Sequence, residues 1–164
     1  MKNRIRFLTQ AALIAALYAV LTLFSYALGL DKGVIQIRLS EALTLLPFVL
    51  PSATPGLFIG CILAGLLTAA HPLDIVFGSL ATLIAAFATQ LLKKTGKLYL
   101  AAVPPVLSNA LVIPFVLAFV YHAEGGIPFF ILSIFFSEAI VCFGLGLPFL
   151  YALIKRNKKQ KEPR

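Results

Sequence analysis

The chain has 164 residues, of which 60% are hydrophobic and 12% are charged, and its formal net charge is +8. A water-soluble domain of this length could not bury so much apolar surface, so the composition excludes an ordinary soluble protein and predicts an integral membrane protein. A positive charge can indicate nucleic-acid binding, but here the basic residues lie at the two ends and in one internal segment. That distribution is typical of the cytoplasmic segments of a membrane protein, and we expect no nucleic-acid partner.

The apolar segments predict an all-α bundle of six transmembrane helices, over residues 7–28, 38–50, 55–70, 73–92, 98–121 and 128–154. The first follows three basic residues, as in a signal peptide, but it is longer than the ~7–15 residues of a signal peptide's apolar region, so we expect a retained helix. The second and third would be only about 20–24 Å long, so they are either two short spanning helices, which we favour, or a re-entrant hairpin. Residues 1–154 then form one membrane domain, and residues 155–164 form a basic tail that we expect to be disordered.

The basic residues predict the orientation of this bundle. Three precede the first helix, three lie between the fourth and fifth helices, and six follow the sixth, which makes 12 of the 14 Lys and Arg residues on one side. Only Lys32 and Arg38 fall on the other side. Because Lys and Arg are enriched in cytoplasmic segments, we expect both termini to be cytoplasmic and the chain to lie in the cell membrane.

Small residues recur at a spacing of four on the first and third helices. The positions are Ala11, Ala15 and Ala19, with Ala12 and Ala16 as a second register, and Gly56, Gly60 and Ala64. Such stripes allow helices to approach closely in lipid. On the first helix the stripe serves either packing within the bundle or docking of another membrane subunit.

Polar residues predict a pocket that opens to the outside. Glu138 lies about 15 Å, and Asn109 about 18 Å, below the outer ends of their helices. Arg38 and Glu41 lie at the outer mouth of the second helix, with Gln36 close by in sequence. Charged groups in a bilayer are costly, and they usually mark functional sites. We therefore take all five as candidate substrate-binding residues.

Each candidate also has a structural alternative. Arg38 and Glu41 are spaced to form a local ion pair, and Asn109 can bond a neighbouring helix. Asp74 is placed to cap the fourth helix. Glu138 is the hardest to explain in this way, because a carboxylate at that depth must be protonated or paired.

The sequence lacks the motifs of several other classes. Cys61 and Cys142 lie in apolar runs, and we interpret them as buried hydrophobic residues without a disulfide. The spacing of Cys and His predicts no metal site, no serine has the partners of a catalytic triad, and residues 94–97 do not form a nucleotide-binding loop. A transporter of this kind would need energy from a partner. A small membrane enzyme and an assembly subunit without a ligand are the other classes considered.

Four blocks of the sequence resemble one family. They are QIRLSEALTLLP at residues 36–47, PGLFIGC at residues 55–61, DIVFGSLATL at residues 74–83, and SEAIVC at residues 137–142, followed by GLP at residues 146–148. Together they are similar to the QueT family, whose members are substrate-binding S components of energy-coupling factor (ECF) transporters. The resemblance extends from the first predicted helix to the sixth.

This resemblance implies a six-helix S component that is not an enzyme and that captures a vitamin-like solute from outside. It implies a transmembrane T component and two cytoplasmic ATPases as partners, so ATP is used by the partners and no cofactor is expected in this chain. The family's proposed substrate is a queuosine precursor, a deazaguanine base, and another vitamin-like solute is the alternative. In this superfamily a small-residue stripe on the first helix docks on the T component, and the alanine registers of this chain match that pattern. We hypothesise that Glu138 is the main residue that recognises the base, since a carboxylate can accept hydrogen bonds from a ring N–H and an amino group together.

Overall fold

The computed structural model describes residues 2–30 and 36–161, with side chains described for residues 3–30 and 36–156. The described part is mainly helical and contains no strand. Its α-helices are α1 (Lys2–Ala27), α2 (Ala53–Leu67), α3 (Pro72–Leu92), α4 (Val103–Phe119), α5 (Ile127–Val141) and α6 (Leu147–Lys161). Three 3₁₀ segments cover Leu39–Phe48, Lys93–Thr95 and Leu98–Ala102, and a π-helical turn covers Cys142–Gly146.

The last predicted helix is one unbroken helical run from α5 through the π turn to α6. It continues to Lys161, so the expected disorder of the tail is wrong for residues 155–161. Lys and Arg are good helix formers, and extending an existing helix avoids the cost of nucleation. Residues 162–164 lie outside the described residues, as does the predicted loop at residues 31–35.

Four of the described helices are long and apolar enough to cross a membrane. They cover Asn3–Ala27, Pro72–Thr95, Leu98–Phe119 and Ile127–Arg156, and they make this a multi-pass membrane protein. Two shorter apolar helices, Leu39–Phe48 and Ala53–Leu67, correspond to the second and third predicted spans. Each measures only about 20–22 Å, less than the ~30 Å of hydrocarbon. Full spanning of these two stays a prediction.

The 3₁₀ segment Leu39–Phe48 forms the centre of the bundle. The sequence predicted an α-helix here, and the helix type is therefore a correction. Pro47 lies inside the segment and has no backbone N–H to donate, which disfavours a regular α-helix. Eight of the ten residues are buried, and the segment contacts α1, α2, α3, the π turn and α6.

Helices α1 and α2 approach each other closely, because small residues face each other along their contact. A Cβ on Gly60 would lie 2.9 Å from the Ala15 carbonyl oxygen, and one on Gly56 would lie 2.6 Å from that of Ala11. Ala11, Ala15 and Ala19 are all buried. These contacts bear out the packing alternative for this register, and its partner-docking role stays a prediction.

The second alanine register of α1 remains accessible. Ala12 and Ala16 are exposed, on a face that also carries Leu13, Leu17 and Val20 as exposed side chains. Any docking surface on α1 is therefore expected to include this register.

Candidate functional site

A cavity of about 540 Å³ lies at the end of the bundle where α1, α2 and α4 terminate and α3 begins. We call it the outer cavity. Its polar lining residues are Tyr26, Gln36, Arg38, Thr68, Asp74, Tyr121 and Glu124. The volume falls within the ~300–1,000 Å³ range of small-molecule sites, and the lining offers both donors and acceptors.

A second, smaller space of about 40 Å³ shares part of its wall with the outer cavity. We call it the inner recess. Arg38, Thr68, Ala70 and Asp74 line both, and the recess is also lined by Tyr18, Thr22, Cys61 and Gly78. Its volume is too small for an aromatic ring but exceeds the ~10–15 Å³ needed for one water-sized group.

Asp74 is fixed at the boundary of the two spaces by Tyr121. The Tyr121 hydroxyl donates to Asp74 Oδ2 at 2.8 Å and accepts from the His71 backbone N–H at 3.2 Å. Partial burial raises the pKa of Tyr121, the His71 N–H lowers it in part, and the bond to Asp74 raises it, so the phenol stays a donor at neutral pH. These contacts tie the end of α4 to the start of α3.

The predicted capping role of Asp74 is wrong. His71 occupies the N-cap of α3, and its Nδ1 accepts from the Leu73 backbone N–H at 3.2 Å. Asp74 lies within the first turn, where a negative charge is favourable next to the positive end of the helix dipole. Its side chain is therefore left to face the cavity and Tyr121.

Of the five candidate substrate-binding residues, Gln36 and Arg38 line the outer cavity. Arg38 Nη2 donates to Gln36 Oε1 at 3.2 Å, and Arg38 also reaches the inner recess. Arg38 has an extended backbone just before the 3₁₀ segment. The two residues thus form one polar wall.

Glu41 lies one layer deeper than Arg38. It is 2% exposed and accepts a hydrogen bond of 2.5 Å from the hydroxyl of Tyr18, a residue of the inner recess. Neither of the two cavities is lined by Glu41 itself. Tyr18 therefore separates the carboxylate from the recess.

Asn109 and Glu138 are buried together between α4 and α5. The Asn109 side-chain amide donates to Glu138 Oε1 at 2.9 Å, and each residue is 6% exposed. The alternative prediction that Asn109 bonds a neighbouring helix is confirmed. Neither residue lines the outer cavity or the inner recess.

Cys142 lies between the backbone of Glu41 and the carboxyl group of Glu138. Its sulfur is 3.8 Å from the Glu41 carbonyl oxygen and 3.9 Å from Glu138 Oε2. Both cysteines are free; Cys142 is buried, as predicted, whereas Cys61 is only partly buried. Glu41 and Glu138 therefore belong to one polar layer that begins at Tyr18.

Sequence reasoning missed Tyr18, Tyr121 and Glu124 as site residues. Tyr18 gave no signal, because it lies in an apolar helix among residues that face α2. Tyr121 was predicted as the last residue of the fifth helix and Glu124 as part of the loop after it, and the cavity that they line forms only when α3 and α4 pack together.

A family model described as QueT transporter matches residues 8–155. No curated protein and no solved structure matched the chain.

Proposed function

Because the chain belongs to the QueT transporter family, we propose that it is the substrate-binding S component of an ECF importer and that its solute is a queuosine precursor, a deazaguanine base. The observation that carries this proposal is the outer cavity of about 540 Å³, with charged, amide and phenol groups at its wall. A cavity of this size and mixed lining suits a small, planar, polar solute.

The orientation of the cavity supports capture from outside. The basic segments at the start of α1, after α3 and at the end of α6 all lie at the bundle end opposite to the cavity. Basic residues mark the cytoplasmic side, so we place both termini in the cytoplasm and the cavity on the outer surface. The six-span topology follows if Leu39–Phe48 and α2 cross the bilayer together with the four long helices.

The cavity wall offers complementary groups for such a base. The Arg38 guanidinium can donate to an exocyclic carbonyl oxygen, and the Gln36 amide can both donate and accept. Tyr26 and Tyr121 provide aromatic faces for stacking. The hypothesis that Glu138 recognises the base stays a prediction. Glu138 also accepts the hydrogen bond from the side-chain amide of Asn109.

Uptake against a gradient requires partners, since the sequence contains no nucleotide-binding loop. We place the T component against the exposed register of α1, at Ala12 and Ala16, and the two ATPases with it on the cytoplasmic side. Ala16→Leu is expected to reduce co-purification with the T component while solute affinity stays unchanged, because Ala16 is exposed and lines neither the outer cavity nor the inner recess. Retained co-purification would place the docking surface elsewhere.

The proposal is tested by equilibrium binding to the purified chain in detergent. The ligands are the aminomethyl and cyano deazaguanines, with guanine, riboflavin and thiamine as controls. We expect tight binding of a deazaguanine alone, weakened about tenfold or more in Arg38→Gln because a charged hydrogen bond is lost. Lys94→Gln removes the same charge from an exposed residue at the other end and is expected to bind as the parent does.

Tight binding of a control vitamin in place of a deazaguanine would keep the transporter class and discard the solute. No binding of any ligand would contradict a solute-binding role for the isolated chain.

A further inference from the structure

Two basic segments lie next to each other at the end of the bundle opposite to the outer cavity. One is the turn that follows α3, and the other is the end of α6, which contacts the 3₁₀ segment after that turn. Leu92 and Leu98 flank the turn, and both pack against the same buried apolar cluster as Ile154 of α6. This shared packing holds the two segments together. We call their described, exposed cations the basic patch: Lys93, Lys94, Lys97, Lys155 and Arg156.

The turn after α3 is held in one conformation by hydrogen bonds of its own. The Gly96 N–H donates to the Lys93 carbonyl oxygen at 3.2 Å, and Gly96 has a φ of 67°, a left-handed conformation that favours glycine. The Thr95 hydroxyl donates to the Leu92 carbonyl oxygen at 2.7 Å and accepts from the Lys97 N–H at 3.3 Å. The backbone of the lysines in this turn is thereby fixed relative to α3 before any ligand binds.

The basic patch lies at the boundary of the membrane-spanning part of the chain. Two of the candidate spans, Pro72–Thr95 and Ile127–Arg156, end within it. Tyr99 and Tyr151 are each more than half exposed, and exposed tyrosines are typical of the layer of lipid headgroups. Tyr151 lies four residues before Lys155, so the two side chains share one face of α6. The cations are therefore at the depth of lipid phosphate groups.

Neither of the two segments contains a carboxylate that could neutralise the basic patch. Asp74 and Glu124 are the acidic residues nearest to the turn in sequence, and both line the outer cavity at the other end of the bundle. Residues 139–161 contain no acidic residue either. The five cations give the patch a formal charge of +5, which favours an anionic ligand over a neutral one.

We propose that the basic patch binds the headgroup phosphate of an anionic phospholipid in the leaflet at this end of the bundle. Lys and Arg side chains donate charge-assisted hydrogen bonds to phosphate oxygens, and Tyr99 and Tyr151 offer exposed rings to the adjoining part of the lipid. A lipid fits better than an acidic protein surface, because the cations lie where two spans end and beside exposed tyrosines. The inference requires only that the chain is a membrane protein, and it is independent of the solute.

The test uses a fluorescent reporter, because the chain contains no tryptophan. Tyr151→Trp places the reporter one helical turn from Lys155. The full chain carrying this change is reconstituted in phosphatidylcholine vesicles with increasing fractions of brominated phosphatidylglycerol or of brominated phosphatidylcholine. Bromine quenches tryptophan fluorescence on contact, so the two quenching curves give the relative affinity of the two lipids. We expect phosphatidylglycerol to bind at least about fivefold more tightly, since each Lys or Arg near the surface strengthens the attraction to an anionic lipid.

Two paired changes in the reporter protein distinguish a site from a general attraction of the basic end. Lys97→Gln with Lys155→Gln removes one cation from each segment of the basic patch, and we expect the preference to fall below about twofold. Arg4→Gln with Arg6→Gln removes the same charge from the exposed start of α1, and the apolar cluster that joins the two segments includes no described residue of α1. We expect the preference to persist in this control. Lys155→Gln alone decides the question if the paired change in the patch does not fold, and it is expected to lower the preference.

Equal quenching by the two lipids in the Tyr151→Trp protein would overturn the inference and favour an acidic protein surface as the partner of the basic patch. An equal loss of preference in both paired variants would overturn it as well, because the attraction would then depend on net charge alone. So would a preference that the changes at Lys97 and Lys155 leave intact. None of these results depends on solute binding, so a failure of the inference and a failure of the proposed function are distinguishable.

Discussion

Glu138 lies in α5, within one of the four long apolar helices, so its carboxyl group needs a partner inside the protein. Asn109 supplies one from α4 through its side-chain amide. The bond is also a polar link between two mainly apolar helices. A buried amide that loses its acceptor incurs the cost of desolvation without compensation.

We therefore expect Glu138→Ala to lower the stability of the chain by about 1–3 kcal/mol, the range for leaving a buried polar group without its hydrogen bond. Glu138→Gln retains an oxygen that can accept from Asn109, so its loss of stability should be smaller. Unfolding in detergent, followed by circular dichroism, compares the two variants. Equal stability of Glu138→Ala and the parent would contradict a structural role for the bond.

The same Glu138→Gln protein tests the sequence-based hypothesis that Glu138 reads the solute. If Glu138 contacts the deazaguanine directly, the Glu138→Gln protein should bind it more weakly, since the amide cannot accept hydrogen bonds from two donors as the carboxylate does. Unchanged affinity would contradict that hypothesis and leave Glu138 with its role toward Asn109.

At the scale of elements, the contact between α1 and α2 depends on two glycines of α2, Gly56 and Gly60. A Cβ on Gly60 would lie 2.8 Å from Tyr18 Cβ and 2.9 Å from the Ala15 carbonyl oxygen, both closer than real contacts allow. Tyr18 is also the donor to Glu41, so a shift of α1 here would displace a residue of the inner recess. The packing of the two helices and the shape of the site are thus coupled.

We expect Gly60→Ala to destabilise the chain by about 1–3 kcal/mol, the usual cost of overpacking a tight contact. Gly144→Ala is the matched control, because nothing lies within 4 Å of the added Cβ. Gly144 lies in the π turn, where the added methyl group meets no neighbour, so the control should be about as stable as the parent. Melting in detergent measures the difference, and a Gly60→Ala protein as stable as Gly144→Ala would contradict the close contact.

The helical elements could be predicted well from the sequence, but the elements that each one packs against could not. The spacing of Ala11, Ala15 and Ala19 indicated a contact face, yet periodicity alone does not say whether the chain itself or another subunit covers it. Residues 38–50 were predicted as a regular helix despite Pro47, because the long 3₁₀ segment found there depends on packing against eight other elements. Likewise Arg38 and Gln36 were found as polar residues at a helix mouth, whereas Tyr18 and Tyr121 entered the site only through tertiary contacts.

At the scale of the whole molecule, charge and shape are arranged along one axis. The basic segments lie at one end of the bundle, and the outer cavity, with Arg38 and Asp74 at its base, lies at the other. Between them, the buried polar layer of Glu41 and Glu138 is enclosed by apolar helices. A solute-binding subunit needs its site at one end of the bundle, because the site must face the side from which the solute arrives.

The most direct test of an outward-facing solute cavity is cysteine labelling in intact cells with a membrane-impermeant maleimide. Ala70→Cys places a thiol where the outer cavity and the inner recess share their wall, and Lys94→Cys places one in the exposed basic segment at the opposite end. The parent, whose two cysteines are buried or partly buried, gives the background. We expect Ala70→Cys to be labelled from outside and protected by the deazaguanine, and Lys94→Cys to be labelled only after the membrane is opened. Labelling of Lys94→Cys alone in intact cells would contradict the orientation, and labelling of Ala70→Cys that saturating deazaguanine leaves unchanged would contradict the site.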